Sequence, residues 1–274
     1  MSLYKYYAPD SFDFICVEGG VSARFSQANV LNDVFELNGS IDSEISLSKT
    51  KELLEKSGVS SSLLDENSLL NLSKNLNNVF TTQFEKALQE NLENTIGVFS
   101  LSCVKHSRSM WSYYAKDHSG YMITFLTNDE GEPPFIQGDD NFGSGHVNYS
   151  KNRPVNLFKT VHNIKKKESK EEKEKEMLNF FLAKDDDWKH EKEYRILSAF
   201  SDLYSNKLDS NGFKICTFKI PAHQIESITL GVRASEALER KAKFWIQSHS
   251  NKTKLFRAKP CATEYKFLDE EIKV

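Results

Sequence analysis

EYRILSAF (193–200), FKICTFKI (213–220) and IESITL (225–230) are three strand-like stretches that follow one another without a helical pattern between them. Turn-forming residues at Pro221–Gln224 separate the last two. Along the chain, strands and helices mix without the regular alternation that builds a parallel sheet. The sequence therefore predicts an α+β fold, with a mixed or mostly antiparallel sheet and flanking helices.

Further strand patterns lie on the N-terminal side of this stretch, at residues 3–7, 21–26, 95–104 and 120–126. Residues 129–145 are rich in Gly, Pro and Asp and are expected to form a loop. We expect one domain over residues 1–274.

Leucine and phenylalanine recur at three- and four-residue steps between Ser46 and Asn94, which predicts two or three helices. We interpret this stretch as a helical insertion near residues 40–95. Two more helices are expected, one leading from the mixed-charge run 165–176 into Leu182 and one at residues 234–249.

Composition narrows the functional classes. The chain has 274 residues, and 39% of them are hydrophobic, which is enough to form a core. Its formal net charge of −3 argues against binding nucleic acid over the whole surface. The N-terminus is too polar for a signal peptide, and no long apolar run predicts a membrane span. Four widely spaced cysteines show no zinc pattern, so we expect no metal and a cytoplasmic location.

Four blocks of residues carry a family resemblance. They are Tyr4–Tyr6, Arg24–Ser26 with Asn32–Glu36, Met110–Gly120, and Trp188–Arg195. In this order they resemble the bacterial "domain of unknown function 2971" family, whose members carry Trp-x-x-Tyr-Ala…His-x-Gly and Trp-x-x-Glu-x-Glu-x-Arg blocks. Val34 departs from the family, which usually has Pro there. Members of that family are often encountered beside bacterial anti-phage genes, so the resemblance implies an effector role in phage defence or stress, but it implies no chemistry.

Glu191, Glu193 and Arg195 are the candidate catalytic residues. If all three lie on one strand, they share a face, and repulsion between the carboxylates would raise one pKa. Arg195 could pair with a carboxylate or hold a phosphate. An exposed ladder of ion pairs on a strand edge is the alternative.

Trp111, Tyr114 and His118 are candidates for binding a ligand. Residues 111 and 114 are neighbours on a helix, and His118 is one turn further. Two aromatic rings beside an imidazole could stack on a base or a nicotinamide. Alternatively, Trp111 and Tyr114 belong to the core and His118 caps a turn.

A second resemblance concerns chain order. Arg24-Phe25-Ser26, Ser100-Leu101-Ser102 and Glu191-Lys192-Glu193 follow one another as in the Arg…Ser-x-Ser…Glu-x-Glu pattern of ADP-ribosyltransferases. The resemblance implies NAD as substrate, Arg24 on its phosphate or ribose, Ser102 ordering the site and Glu193 as the catalytic carboxylate. Lys5 or Tyr6 could stand beside them, and Ser26 belongs to the same binding set.

Three functions are therefore compatible with the sequence. The first is an ADP-ribosyltransferase-like enzyme that uses NAD and acts on an unknown protein or nucleic-acid target. The second is a module that binds a nucleotide or another small molecule without turnover. The third is a nuclease-like effector in which Asp186, Glu191 and Glu193 gather Mg²⁺.

Overall fold

A computed structural model of the chain describes residues 2–33, 35–37, 47–137, 142–154, 160, 163–250 and 252–274. Val34 and the beginning of the predicted insertion, residues 40–46, lie outside this part of the chain.

The strands of the described residues are β1 (Leu3–Tyr7), β2 (Cys16–Val17), β3 (Gly20–Phe25), β4 (Ile96–Ser102), β5 (Tyr121–Phe125), β6 (Phe142–His146), β7 (Asn148–Ser150), β8 (Ala183–Asp185), β9 (Glu193–Ala199), β10 (Tyr204–Leu208), β11 (Lys214–Pro221), β12 (Ile225–Leu230), β13 (Lys254–Pro260) and β14 (Phe267–Ile272). The α-helices are α1 (Phe12–Ile15), α2 (Leu47–Lys56), α3 (Glu66–Glu93), α4 (Arg108–Tyr113), α5 (Lys170–Phe181) and α6 (Glu236–His249).

A large sheet carries most of the strands. Among the described residues it has eight, in the order β14-β13-β12-β5-β1-β4-β9-β6, and its only parallel pair is β12 with β13. Helix α6 connects these two strands, as a parallel pair requires. The first strand of the chain, β1, lies in the middle of the sheet between β4 and β5.

A smaller antiparallel sheet, β10-β11-β3-β2, packs on the large one. Phe25 of β3 contacts Phe99 of β4 with ring centroids 5.6 Å apart, and Phe218 of β11 meets Phe142 of β6 at 5.1 Å. The backbones of Ser26 and Val98 also exchange hydrogen bonds, which tie the end of β3 to β4. The inner faces of the two sheets thus form the main core.

Helix α6 covers one part of this core through its amphipathic pattern. Leu238, Ala242, Trp245 and Ile246 recur at three- and four-residue steps and are buried, and Phe244 points outward. Ser235 caps the N-terminus by accepting a hydrogen bond from the Leu238 amide.

The structure confirms the α+β class and the mostly antiparallel sheet. It also places α2 and α3 between β3 and β4, within the predicted insertion. The loop predicted at 129–145 is wrong at its end, because Phe142–His146 form the edge strand β6. This strand contains Gly143 and Gly145, and glycine in a sequence pattern indicates a loop. None of the helices described here is both long and apolar enough to cross a bilayer.

Candidate functional site

Three neighbouring strands, β1, β4 and β9, bring distant parts of the chain together. Ser102 of β4 lies opposite Tyr4 of β1 on one side and opposite Glu193 of β9 on the other. Lys5 of β1 donates a hydrogen bond from Nζ to the Ser100 carbonyl oxygen at 2.6 Å. Residues about 90 to 190 positions apart in sequence therefore meet around one point of the sheet.

A cavity of about 200 Å³ opens at this point, and we call it the first pocket. Its lining combines hydroxyl groups, carboxylates and two lysines: Tyr4, Lys5, Tyr6, Ser26, Val30, Leu31, Asn32, Glu36, Val98, Ser100, Leu101, Ser102, Met110, Tyr114, Lys184, Glu191 and Glu193. Eight of the eleven predicted site residues lie in this lining or, like Arg195, directly behind it.

Glu191 and Glu193 are both buried, but they do not lie on one strand as the sequence predicted. Glu191 ends a 3-10 helix at Asp186–Glu191, and Glu193 begins β9. Lys192 between them has φ 43°, a left-handed conformation that is uncommon outside glycine and reverses the chain at this point. The alternative of an exposed ladder is also wrong, because β9 lies inside the sheet between β4 and β6.

Lys184 of β8 occupies the space between three carboxylates. Its ammonium lies 2.7 Å from Glu191, 2.9 Å from Glu193 and 2.9 Å from Glu36. All four side chains are at least 95% buried. Because an ammonium group has three hydrogens, it satisfies one acceptor from each carboxylate.

Arg195 fixes the same carboxylates from behind. Its Nε donates to Glu193 Oε1 at 2.9 Å, and its Nη2 donates to Glu193 Oε2 at 3.2 Å and to Glu36. The remaining nitrogen, Nη1, donates to the Phe181 carbonyl oxygen at 2.7 Å. The guanidinium is therefore committed to the protein, and it is fully buried, so it does not offer a fork to a ligand phosphate.

These charges set the pKa values of the cluster. Burial alone would raise the pKa of Glu193, but Arg195 and Lys184 outweigh it and hold that pKa at about 2. Burial raises the pKa of Glu36 above its ordinary value, against the attraction of the same two cations. The repulsion predicted between Glu191 and Glu193 thus does not raise the pKa of Glu193, and Glu36 is the carboxyl with a raised pKa.

Lys5 adds a third cation to the three carboxylates. Burial lowers the pKa of Lys5 to about 8, and the negative charges of Glu193 and Glu191 only partly oppose this. Lys184 behaves differently: burial alone would lower its pKa, but its three carboxylate partners raise it. Lys5 is therefore the cation of the pocket whose pKa burial has moved toward neutral pH.

Tyr114 connects the cluster to the loop after β3. Its hydroxyl donates to Glu191 Oε1 at 2.6 Å and accepts a hydrogen bond from Asn32 Nδ2 at 2.8 Å. Burial and the neighbouring Glu191 raise the pKa of Tyr114, so the hydroxyl stays a donor. The predicted ligand residue Tyr114 is thus in the pocket, where it orients a carboxylate.

Ser102 and Tyr6 line the pocket, but their hydroxyl groups donate hydrogen bonds to backbone carbonyl oxygens. Ser102 Oγ donates to the Glu191 carbonyl oxygen at 2.7 Å and accepts from the Val104 amide. Tyr6 donates to the Val104 carbonyl oxygen at 3.0 Å. Ser102 therefore holds the backbone at Glu191, and its role in binding NAD stays a prediction. Ser26 lines the pocket too.

Three predicted residues lie elsewhere. Arg24 forms an ion pair with Asp209 at 2.6 Å. Its neighbour Phe25 faces the large sheet, so strand alternation puts the Arg24 side chain on the opposite face of the smaller sheet, away from β4. Trp111 is fully buried against Tyr6, Ala115 and Met122, which leaves no open ring face for a ligand. For these two residues the predicted ligand contacts do not fit.

His118 also lies outside the pocket. It has φ 66°, stacks on Trp111 with ring centroids 6.4 Å apart, and accepts the Arg233 amide on its carbonyl oxygen. The helix α4 ends at Tyr113, so the further helical turn that would have aligned His118 with Tyr114 is missing. His118 ends a turn, as the second interpretation of this block expected.

The magnesium set of the nuclease hypothesis is not assembled. Asp186 pairs with Lys189 at 3.7 Å on the outside of the 3-10 helix, whereas Glu191 and Glu193 converge on Lys184. A cation is thus already built into the chain at the place where the two carboxylates meet. Among the described residues no cluster of three acidic, histidine or cysteine side chains has the arrangement of a metal site.

Glu36 and Lys184 are the site residues that the motifs missed. Glu36 ends the Asn32–Glu36 block, which was recognised without a role for its carboxylate. Lys184 stands before Asp185 in a stretch that a sequence pattern assigns to a solvated turn. The sequence indicated the burial of Lys184 only weakly. Lys184 comes shortly after the apolar run Phe180–Leu182, and all of these residues are buried.

Comparison with known proteins finds one family. Residues 110–196 match the family model described as "Protein of unknown function (DUF2971)". The matched region begins at Met110 in α4 and ends at Ile196 in β9, and it thus contains Tyr114, Lys184, Glu191, Glu193 and Arg195. No curated protein and no solved structure matches the chain significantly.

Proposed function

For this chain, which belongs to the DUF2971 family through residues 110–196, we propose an enzyme that breaks the N-glycosidic bond of NAD and transfers the ADP-ribosyl group. The first pocket is its active site. The observation that carries the proposal is the meeting of Ser102 with Glu193 across β4 and β9, beside Glu191 in the same cavity. The Ser-x-Ser and Glu-x-Glu parts of the motif order are thus neighbours in space.

The electrostatics of the pocket suit this reaction class. Cleavage of the bond between ribose C1′ and the nicotinamide nitrogen leaves positive charge on the sugar, and a fixed carboxylate lowers the energy of that state. The pKa of Glu193, at about 2, keeps a carboxylate ionised at any physiological pH. Lys184 and Arg195 hold its position, so it needs no rearrangement during the reaction.

The proposed reaction breaks the bond between C1′ and nicotinamide and forms one new bond at C1′. Nicotinamide leaves with the electron pair of the broken bond and needs no proton. Water or a nucleophilic group of the target forms the new bond to C1′ and loses a proton to a base. Glu191 is the candidate base, because its carboxylate lines the pocket and is held by Tyr114 and Lys184. Lys5 lines the pocket, and in this proposal it would take the ligand-binding role that the motif order implies for Arg24.

A non-catalytic binding module is the second candidate. It is favoured by the complete engagement of the carboxylates, since all four oxygens of Glu191 and Glu193 already accept a hydrogen bond. In such a module the buried cluster would shape the cavity and the ligand would leave unchanged. The role in phage defence stays a prediction of the family resemblance.

Nicotinamide release tests the first candidate. The purified chain is incubated with NAD, with and without a cell extract that supplies targets, and free nicotinamide is quantified by chromatography. Glu191→Gln keeps the shape of the side chain, and we expect it to reduce release about 100-fold. Glu226→Gln, on an exposed position of β12, is the matched control and should release nicotinamide like the wild type.

The outcomes separate the two candidates. Binding of NAD in calorimetry without release, even with extract, would leave the binding module as the function. If the chain neither binds NAD nor releases nicotinamide, NAD is not the ligand in either candidate function. Glu193 is less suited to this test, because Arg195 binds it in addition to Lys184. Glu191 is also buried and bonded to Lys184, so the Tm of Glu191→Gln is measured first, and release is compared under conditions in which both proteins are folded.

A further inference from the structure

A second cavity of about 180 Å³ adjoins the first pocket, and nothing above assigns it a role. Three segments line it: residues 33–37 without Val34, residues 150–154, and residues 183–185. Glu36 and Lys184 line both cavities, so the two cavities meet at this buried ion pair. A ligand long enough to pass this ion pair would reach both cavities.

An aromatic ring and an arginine form one wall of the second cavity. The Arg153 guanidinium lies over the Phe35 ring, 4.5 Å from its centroid. The Phe35 side chain is 53% exposed, so part of its ring is open to solvent. A flat cation stacked on a partly exposed ring offers a surface on which another flat ring can stack.

The charges of the second cavity argue against a simple anion site. Lys151 and Arg153 have no acidic partner among the described residues, but Asp33 and Asp185 line the same space. Asp33 accepts the Phe35 amide at 2.9 Å and Asp185 accepts the Asp187 amide at 2.8 Å, each through one oxygen. Formal charge thus cancels, and the cavity offers both donors and acceptors around an aromatic platform.

From this arrangement we propose that the second cavity binds the nucleobase of a nucleotide, with Phe35 and Arg153 as its stacking surface. A purine is a flat ring with hydrogen-bond donors and acceptors at its edge, which matches a lining that is balanced in charge and mixed in polarity. The identity of the whole ligand rests on the proposed function: the adenine of NAD would lie here and its nicotinamide riboside in the first pocket.

Adenosine tests the nucleobase subsite without nicotinamide or phosphate. We expect the wild-type chain to bind adenosine in titration calorimetry, and Phe35→Ala to weaken binding about tenfold, since stacking on an aromatic side chain contributes this much per base. Phe35→Tyr should retain wild-type affinity. Phe244→Ala is the matched control, because Phe244 is 71% exposed on α6, away from both cavities.

Two results would overturn the subsite: no adenosine binding by the wild type, or equal binding by Phe35→Ala. Inorganic pyrophosphate serves as the competing probe, and its binding through Lys151 and Arg153 without adenosine binding would show an anion site instead. Failure of the proposed function is distinguishable. Adenosine binding that depends on Phe35, together with absent nicotinamide release, keeps the subsite and removes the transferase.

Discussion

The Lys184 ammonium lies 2.9 Å from the Glu36 carboxylate, and this buried ion pair lines both cavities. Glu36 comes from the loop after β3 and Lys184 from the short strand β8, so their contact joins two segments that are far apart in sequence. The pair decides the shape of both spaces, and its loss should disturb folding before it disturbs chemistry.

Replacing Lys184 by methionine should reduce the free energy of unfolding by about 3–5 kcal/mol. The substitution keeps the approximate length of the side chain. It leaves the buried carboxylates of Glu36 and Glu193 with Arg195, and that of Glu191 with the Tyr114 hydroxyl. Urea denaturation at pH 7 measures the effect. Lys189→Met is the control: its ammonium is exposed, and the change should stay within about 0.5 kcal/mol. Equal stability of the two variants would contradict the structure of the cluster.

Tyr114→Phe and Tyr113→Phe form a pair of neighbouring substitutions with opposite expectations. The Tyr114 hydroxyl donates a hydrogen bond to the buried Glu191 carboxylate and accepts one from Asn32. Removing this hydroxyl should therefore lower the free energy of unfolding by about 1.5–3 kcal/mol. Tyr113 is 67% exposed, and its variant should unfold like the wild type. Thermal unfolding followed by circular dichroism compares the two, and a larger loss in Tyr113→Phe would rule out the assigned contacts.

Local patterns were sufficient for the elements that carry their own periodicity. The strands at 120–126 and 225–230 and the helix at 234–249 were predicted to within about two residues, because burial repeats at the period of each element. The position of Lys5 and Tyr6 in a central strand could not be predicted, since β1 pairs with strands about a hundred residues away. Strand order depends on such distant contacts, which one sequence does not display.

The candidate site was partly predictable for the same reason. Ser102, Glu191, Glu193 and Tyr114 belong to motifs and do meet in the pocket. Arg24 was placed there from chain order alone, but strand alternation and sheet assignment direct it to Asp209. Lys184 escaped notice because a lysine beside three aspartates looks solvated, and only the convergence of three carboxylates stabilises its charge in the interior.

The stability of the chain should depend on pH through Lys5. Its pKa is about 8 in the folded protein and near 10.5 when unfolded, so the unfolded chain binds the proton more tightly between these values. The free energy of unfolding contributed by Lys5 therefore rises as the pH increases from about 8 to 10.5, by on the order of 3 kcal/mol. Below pH 8 both states carry the proton, and this contribution is constant.

Lys5→Met isolates this effect, because the other lysines and tyrosines titrate alike in both proteins. Denaturant unfolding at pH 7.5 and at pH 10 should show the wild type gaining stability relative to Lys5→Met at the higher pH. A difference between the two proteins that stays constant across this range would mean that Lys5 keeps an ordinary pKa in the folded state.

Arg24→Ala tests whether NAD binds in the first pocket or at a site that includes Arg24, as the motif order implies. Arg24 pairs with Asp209 and does not line either cavity, so the variant should release nicotinamide with an unchanged KM for NAD. Its stability should fall by only about 0.2–1 kcal/mol, since the Arg24 side chain is 31% exposed and solvent screens the pair. Lys5→Met, by contrast, removes one of the two lysines that line the first pocket and should raise that KM. If Arg24→Ala raises the KM and Lys5→Met leaves it unchanged, NAD is bound on the β3–β11 side of the sheet, and the first pocket is not the active site.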